Sequence, residues 1–189
     1  AFAVILDGEI AYATGMGVTQ YGGGMPVGTD TVFRWNSVSK MHTALAVLQQ
    51  VEAGNLDLYA PATDSLPDIG LSGGASADEL TLHRMMTHTT GMEDDWDTSC
   101  EVSEEQYWQA VQPYTLVAPG ALFNYSNTGW SLAGRLIEDA TGMDYAAYMQ
   151  EHILTPAGMT TATFEPAEAV DGSYSIGYSS GSYYTLDIH

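Results

Sequence analysis

Two short apolar runs open the chain, at residues 2–6 and 9–14, with Asp7-Gly8 between them. An Asp-Gly pair flanked by such runs predicts a β-hairpin with a tight turn. Gly22, Gly23, Gly24 and Pro26 then mark a flexible loop. Residues 31–35 read as another short extended piece.

The pattern then changes period. Met41, Ala44, Leu45, Val47, Leu48 and Val51 recur at helical spacing, with Asn36 or Ser37 placed to cap the start and Gly54 to stop the end. Residues 55–74 are irregular and rich in Pro and Asp. Thr81 is expected to cap a short helix through Thr87. Ser103 and Gln106 form a capping box for a helix to about Val111. Pro119-Gly120 is a turn. A longer helix is expected from about Asn127 to Ala140, with Gly142 beyond it. Asp144 caps one more, to about Leu154, closed by Pro156 and Gly158. From Thr160 onward Gly, Ser and Tyr suit turns and strands. The order of strands, helices and strands suggests a mixed sheet carrying a helical insertion.

Composition narrows the function. The 189 residues are 45% hydrophobic, enough for a packed core. Twenty-four acids face four basic residues, a formal net charge of −20. That argues against nucleic acid, whose phosphates need Lys and Arg, and against anionic membrane surfaces. The scattered acids read as a solvated surface, and a saline environment would screen their repulsion. One cysteine, Cys100, rules out an internal disulfide, and the acids around it keep its thiol a poor nucleophile. No apolar run nears the length of a membrane span, so membrane insertion is not expected. The five histidines lack zinc-ligand spacing, so no metal and no other cofactor is expected.

Lys40 is the only lysine, and it stands three residues after Ser37. Residues at i and i+3 share a helix face, so the two side chains can converge at the helix start. The positive end of a helix disfavours an ammonium and favours an anion, and burial acts the same way on lysine. Lys40 is thereby suited to take the proton of Ser37. A capped helix with one surface lysine would give the same two letters. Tyr125-Ser126-Asn127 lies on a turn entering a helix, where Tyr125 can relay a proton and Asn127 can hold a substrate carbonyl and the lysine. A buried tyrosine followed by an N-cap asparagine is the plainer explanation of that tripeptide.

Taken together, Phe33-Arg-Trp-Asn-Ser-Val-Ser-Lys40, Leu82-His-Arg-Met-Met-Thr-His-Thr-Thr-Gly91, Pro119-Gly-Ala-Leu-Phe-Asn-Tyr-Ser-Asn-Thr-Gly129 and Ile153-Leu-Thr-Pro-Ala-Gly-Met-Thr-Thr-Ala-Thr-Phe164 resemble the serial landmarks of the β-lactamase-related serine hydrolases. That group holds class C β-lactamases, D-Ala-D-Ala peptidases and family VIII-type esterases. The resemblance implies an α+β fold of the α/β sandwich type, an antiparallel sheet flanked by helices with an all-helical insertion. It implies Ser37 as the acylated nucleophile, Lys40 as its activating partner, Tyr125 as base or relay, and Asn127 lining the substrate cleft. His88 and Gly91 match a motif that shapes a loop more than it does chemistry.

The family's late Lys-Thr-Gly or His-x-Gly triplet has no counterpart here. Residues 1–54 are expected to form the N-terminal strands and nucleophile helix, 55–160 a mainly helical domain, and 161–189 a return towards the sheet. The remainder of the sheet is expected to come from a missing C-terminal segment or a second chain. The function expected is a serine hydrolase on ester, amide or β-lactam carbonyls of a small-molecule or peptide substrate, esterase- or peptidase-like. The alternative is a non-catalytic penicillin-binding-type sensor or assembly module with a vestigial site. A periplasmic or secreted location is expected.

Overall fold

A computed structural model of the chain describes residues 1–67, 69–93, 113–165, 174–179 and 182–184. The chain divides into two compact units, residues 1–37 with 157–189, and residues 38–156. Cys100, the helix expected from Ser103 and the acids at 101–105 lie outside the described residues.

Among the described residues, the first unit holds three antiparallel strand pairs. β1 (Phe2–Leu6) pairs with β2 (Glu9–Thr14), from Phe2 opposite Thr14 to Leu6 opposite Glu9, with a register shift between Val4 and Ile5. The turn is the one Asp7-Gly8 predicts, because both residues take the positive φ that a twisted two-residue turn requires, 51° and 82°. β3 (Val18–Gln20) pairs with β4 (Gly23–Pro26), so the expected flexible loop over residues 22–26 is instead largely a strand. The reason lies in Thr19, whose buried hydroxyl accepts the Met25 N–H at 3.1 Å. Gly24 lets the strand come that close: its φ is +86°, and a Cβ there would stand 2.7 Å from Thr19 Oγ1. β5 (Gly177–Ser179) and β6 (Ser182–Tyr184) form the third pair. Backbone bonds tie the segment before β5 to this unit, Ser175 N–H to Val32 O and Ile176 N–H to Thr19 O, both 2.9 Å. The extended piece over residues 31–35 is thus a single parallel bridge, Val32 to Tyr174.

The second unit is a helical core. α1 (Ser39–Glu52) packs on α3 (Asn127–Thr141), which also packs on α2 (Leu82–Met86) and on α4 (Tyr145–Met149). α3 buries Gly129, Leu132, Ala133, Leu136 and Ile137, the spacing of one helical face. Fully burying a Leu or Ile contributes about 1.5–3 kcal/mol each, so this face anchors the unit. Side-chain caps hold three helix starts, at Thr81 and Asp144 as expected and at Ser126 in place of Asn127. Thr81 Oγ1 accepts from Arg84 N–H, Ser126 Oγ from Gly129 N–H and Asp144 Oδ1 from Ala147 N–H. The cap of α3 is therefore Ser126, and Asn127 is its first helical residue, which overturns the N-cap explanation of that asparagine. Gly142, at φ 67°, ends α3, and Gly54 follows α1 at φ 77°. The helix expected to run from Asp144 to Leu154 is α-helical only to Met149, then widens into a π-type turn over Gln150–Leu154.

α1 departs from expectation at its start. Neither Asn36 nor Ser37 caps it. They belong to a 3₁₀ turn, Asn36–Val38, that delays the helix, and Val38 holds the N-cap position with no side-chain cap bond. Its buried face is Thr43, Ala46, Val47 and Gln50, whereas Met41, Leu45 and Leu48 are about half exposed or more. The buried polar groups are partnered. Thr43 Oγ1 lies 2.7 Å from Tyr145 Oη, and Gln50 Nε2 donates to Tyr148 Oη at 2.6 Å.

Candidate active site

Three of the four residues singled out on sequence meet in the helical unit. Lys40 is the second residue of α1 and half-buried. Its Nζ donates to Asn127 Oδ1 at 2.6 Å, across 87 residues of chain. The same nitrogen lies 5.0 Å from the centre of the Tyr125 ring, within cation–π range. Asn127 is fixed because it opens α3 directly after the buried cap Ser126. Tyr125 remains 37% exposed. Ser37, in the other unit, lies exposed in the turn Asn36–Val38. Asn36 before it holds a left-handed φ of 47°, a conformation that Asn tolerates better than most residues.

Residues 88–93 explain how Tyr125 is placed. They form a rail along which residues 114–126 are laid. Tyr114 O accepts from Glu93 N–H, Leu116 N–H donates to Gly91 O at 2.8 Å, Gly120 N–H to Thr89 O at 2.7 Å, and Asn124 N–H to His88 O at 2.7 Å. The Asn124 side chain adds a bond to Met92 O at 2.6 Å. Gly91 has no substitute in this rail. Its φ is +73°, and a Cβ would stand 2.1 Å from Val117 O.

His88, read on sequence as part of a loop-shaping motif, does more than turn the loop. Its ring stacks on Tyr125 with centroids 4.2 Å apart and planes 21° from parallel. Nothing local in the sequence signals this, because the partners lie 35–42 residues further on.

The other cations of this unit are engaged elsewhere. Arg84 Nη1 donates to the Glu79 carbonyl, and Arg135 pairs with Glu138 at 3.2 Å. An open cleft of about 630 Å³ lies at the far end of α1, lined by Val51, Leu56, Tyr59, Leu82 and Leu136, and none of Lys40, Tyr125 and Asn127 borders it. Among the described residues no cluster of His, Cys, Asp and Glu could hold a metal ion. No helix among them is long and apolar enough to cross a membrane.

The chain has a β-lactamase and penicillin-binding-protein fold: a class C β-lactamase solved with cefoxitin superposes over 98% of this chain and 51% of its own at a TM-score of 0.80, with 24% identity. The "Beta-lactamase" family model matches residues 1–186, and the chain belongs to that family. Its curated relatives include penicillin-binding protein 4 of Amycolatopsis lactamdurans, 30% identical over 90% of this chain and 45% of that protein. Esterase EstB of Burkholderia gladioli is 32% identical over 87% of this chain and 46% of its own length. The chain thus spans a little under half the length of these relatives.

Proposed function

We propose that this chain carries the nucleophile, its base and its proton relay for a serine hydrolase that works through an acyl-enzyme. The observation that carries the reading is the meeting of Lys40 Nζ with Asn127 Oδ1 beside the Tyr125 ring. One Nζ hydrogen goes to Asn127, which aims the amine. In its neutral form that amine keeps a lone pair for the proton of Ser37. Ser37 Oγ bonds to the substrate carbonyl carbon as its proton passes to Lys40. The tetrahedral oxyanion then collapses and expels the leaving group, which takes a proton relayed through Tyr125. Water, deprotonated along the same route, releases the acid and restores Ser37.

Esters and neutral or cationic amides are the substrates favoured. In residues 38–156, Arg84 donates to the Glu79 backbone carbonyl and Arg135 pairs with the Glu138 carboxylate, and neither bond involves Lys40, Tyr125 or Asn127. A net charge of −20 repels anionic substrates. Similarity to an esterase supports the same side. The relatives' names also support a periplasmic or secreted location, and completion of the sheet by further polypeptide fits their greater length.

The test is a neutral fluorophosphonate applied to the full-length protein, followed by intact mass and peptide mapping. One adduct, on Ser37, is expected, with rapid hydrolysis of p-nitrophenyl butyrate. No adduct on Ser37 would overturn the reading. A stable adduct without ester turnover would favour the sensor or assembly alternative.

A further inference from the structure

We infer that His88 is a positioning residue for Tyr125, a role that rests on Tyr125 being the proton relay. Four separate parts of His88 contact four nearby residues of one segment. Its carbonyl accepts from Asn124 N–H at 2.7 Å. Its ring face stacks on Tyr125. Nδ1 faces the Ser126 N–H at 3.1 Å, and Nε2 faces the Trp130 indole N–H at 3.1 Å. Phe123 closes the set with an edge-on contact at 5.5 Å. Tyr125 is thus held through its own ring and through the residues before and after it.

The imidazole suits this better than a plain aromatic ring. A phenyl would supply the stacking face and leave both N–H donors without an acceptor. A neutral imidazole has one in-plane lone pair, so it accepts from Ser126 or from Trp130, and an imidazolium would accept from neither. His88 also holds a φ of 56°, a left-handed conformation in which His is enriched. Tyr125 is 37% exposed, and the His88 ring lies against one side of it. A proton relay misplaced by about 1 Å loses on the order of 100-fold in rate.

The experiment is a double-mutant cycle in the full-length protein, with p-nitrophenyl butyrate as substrate. His88→Asn keeps one acceptor and tolerates the left-handed φ but removes the stacking face. We expect kcat to fall by about 10- to 100-fold with KM unchanged within about twofold. In a Tyr125→Phe background the same substitution should cost no further activity, because its effect passes through the phenol. Equal losses in the two backgrounds would overturn the inference. A Tyr125→Phe variant as active as the parent would instead overturn the relay reading, and the inference with it. If His88→Asn does not fold, Trp130→Phe is measured in the same cycle. It removes only the indole donor, and the same non-additive pattern with a smaller fall is expected, additivity again being the overturning result.

Discussion

Lys40 Nζ and Asn127 Oδ1 meet at 2.6 Å, joining the start of α1 to the start of α3. The bond ties the two helices together at the ends where their N–H groups are unpaired by the helices themselves. It also places the amine beside Tyr125. Replacing Asn127 with Ala should cost about 1–2 kcal/mol of stability, since the hydrogen bond from half-buried Lys40 to its amide oxygen is removed. Urea unfolding of the full chain would show a lower midpoint at unchanged slope. An unchanged midpoint would mean that water replaces the amide at no cost.

Lys40→Met keeps the length and apolar stem of the side chain and removes its base. Fluorophosphonate labelling of Ser37 should slow by about 10²–10⁴-fold, the usual size of a general-base contribution. Labelling at the parental rate would remove Lys40 from the chemistry and leave it a purely structural cation.

Gly91→Ala introduces a Cβ where only 2.1 Å separates it from the Val117 carbonyl, at a φ of +73°. Backbone strain of this kind costs about 1–3 kcal/mol, before the steric clash is added. A drop in melting temperature is expected. Because the rail carries the Tyr125 segment, activity at temperatures well below the transition should fall as well. Normal activity at those temperatures would show that the segment finds its place without the rail.

Asn36 precedes the proposed nucleophile at φ 47°. Asn36→Gly should be tolerated, whereas Asn36→Val should lose about 1–2 kcal/mol, the cost of a left-handed conformation for an L-residue with a branched Cβ. Thermal unfolding of the pair of variants separates backbone strain from any role of the amide. Equal behaviour of the two would show that the turn relaxes without cost.

Elements set by near neighbours were legible in the sequence. Asp7-Gly8 specifies its own turn, and Thr81 and Asp144 cap helices three residues away. Residue type and spacing singled out Lys40, Tyr125 and Asn127, and these three side chains meet in space. What the local pattern missed was packing decided by partners elsewhere in the chain. Thr43 and Gln50 take the buried face of α1 because they find Tyr145 and Tyr148 about 100 residues away, and Ala46 beside them is small enough for close helix approach. Hydrophobicity alone ranks Met41 and Leu45 above Thr43 and Gln50, and so favours the wrong face. The glycines at 22–24 suggested looseness, where the Thr19 hydroxyl makes a strand. His88 was read as a loop-former because its ring contacts lie with Phe123, Tyr125 and Trp130, invisible to any local pattern.

The rail formed by residues 88–93 has a consequence for anyone who sets out to change what this protein accepts. Residues 114–126 border Tyr125 and invite randomisation, yet their backbone is spelled out bond by bond by a segment more than 20 residues upstream. A library confined to the later segment therefore explores side chains on a fixed track. Moving the track itself requires both segments to be exchanged together, as one cassette taken from a single donor.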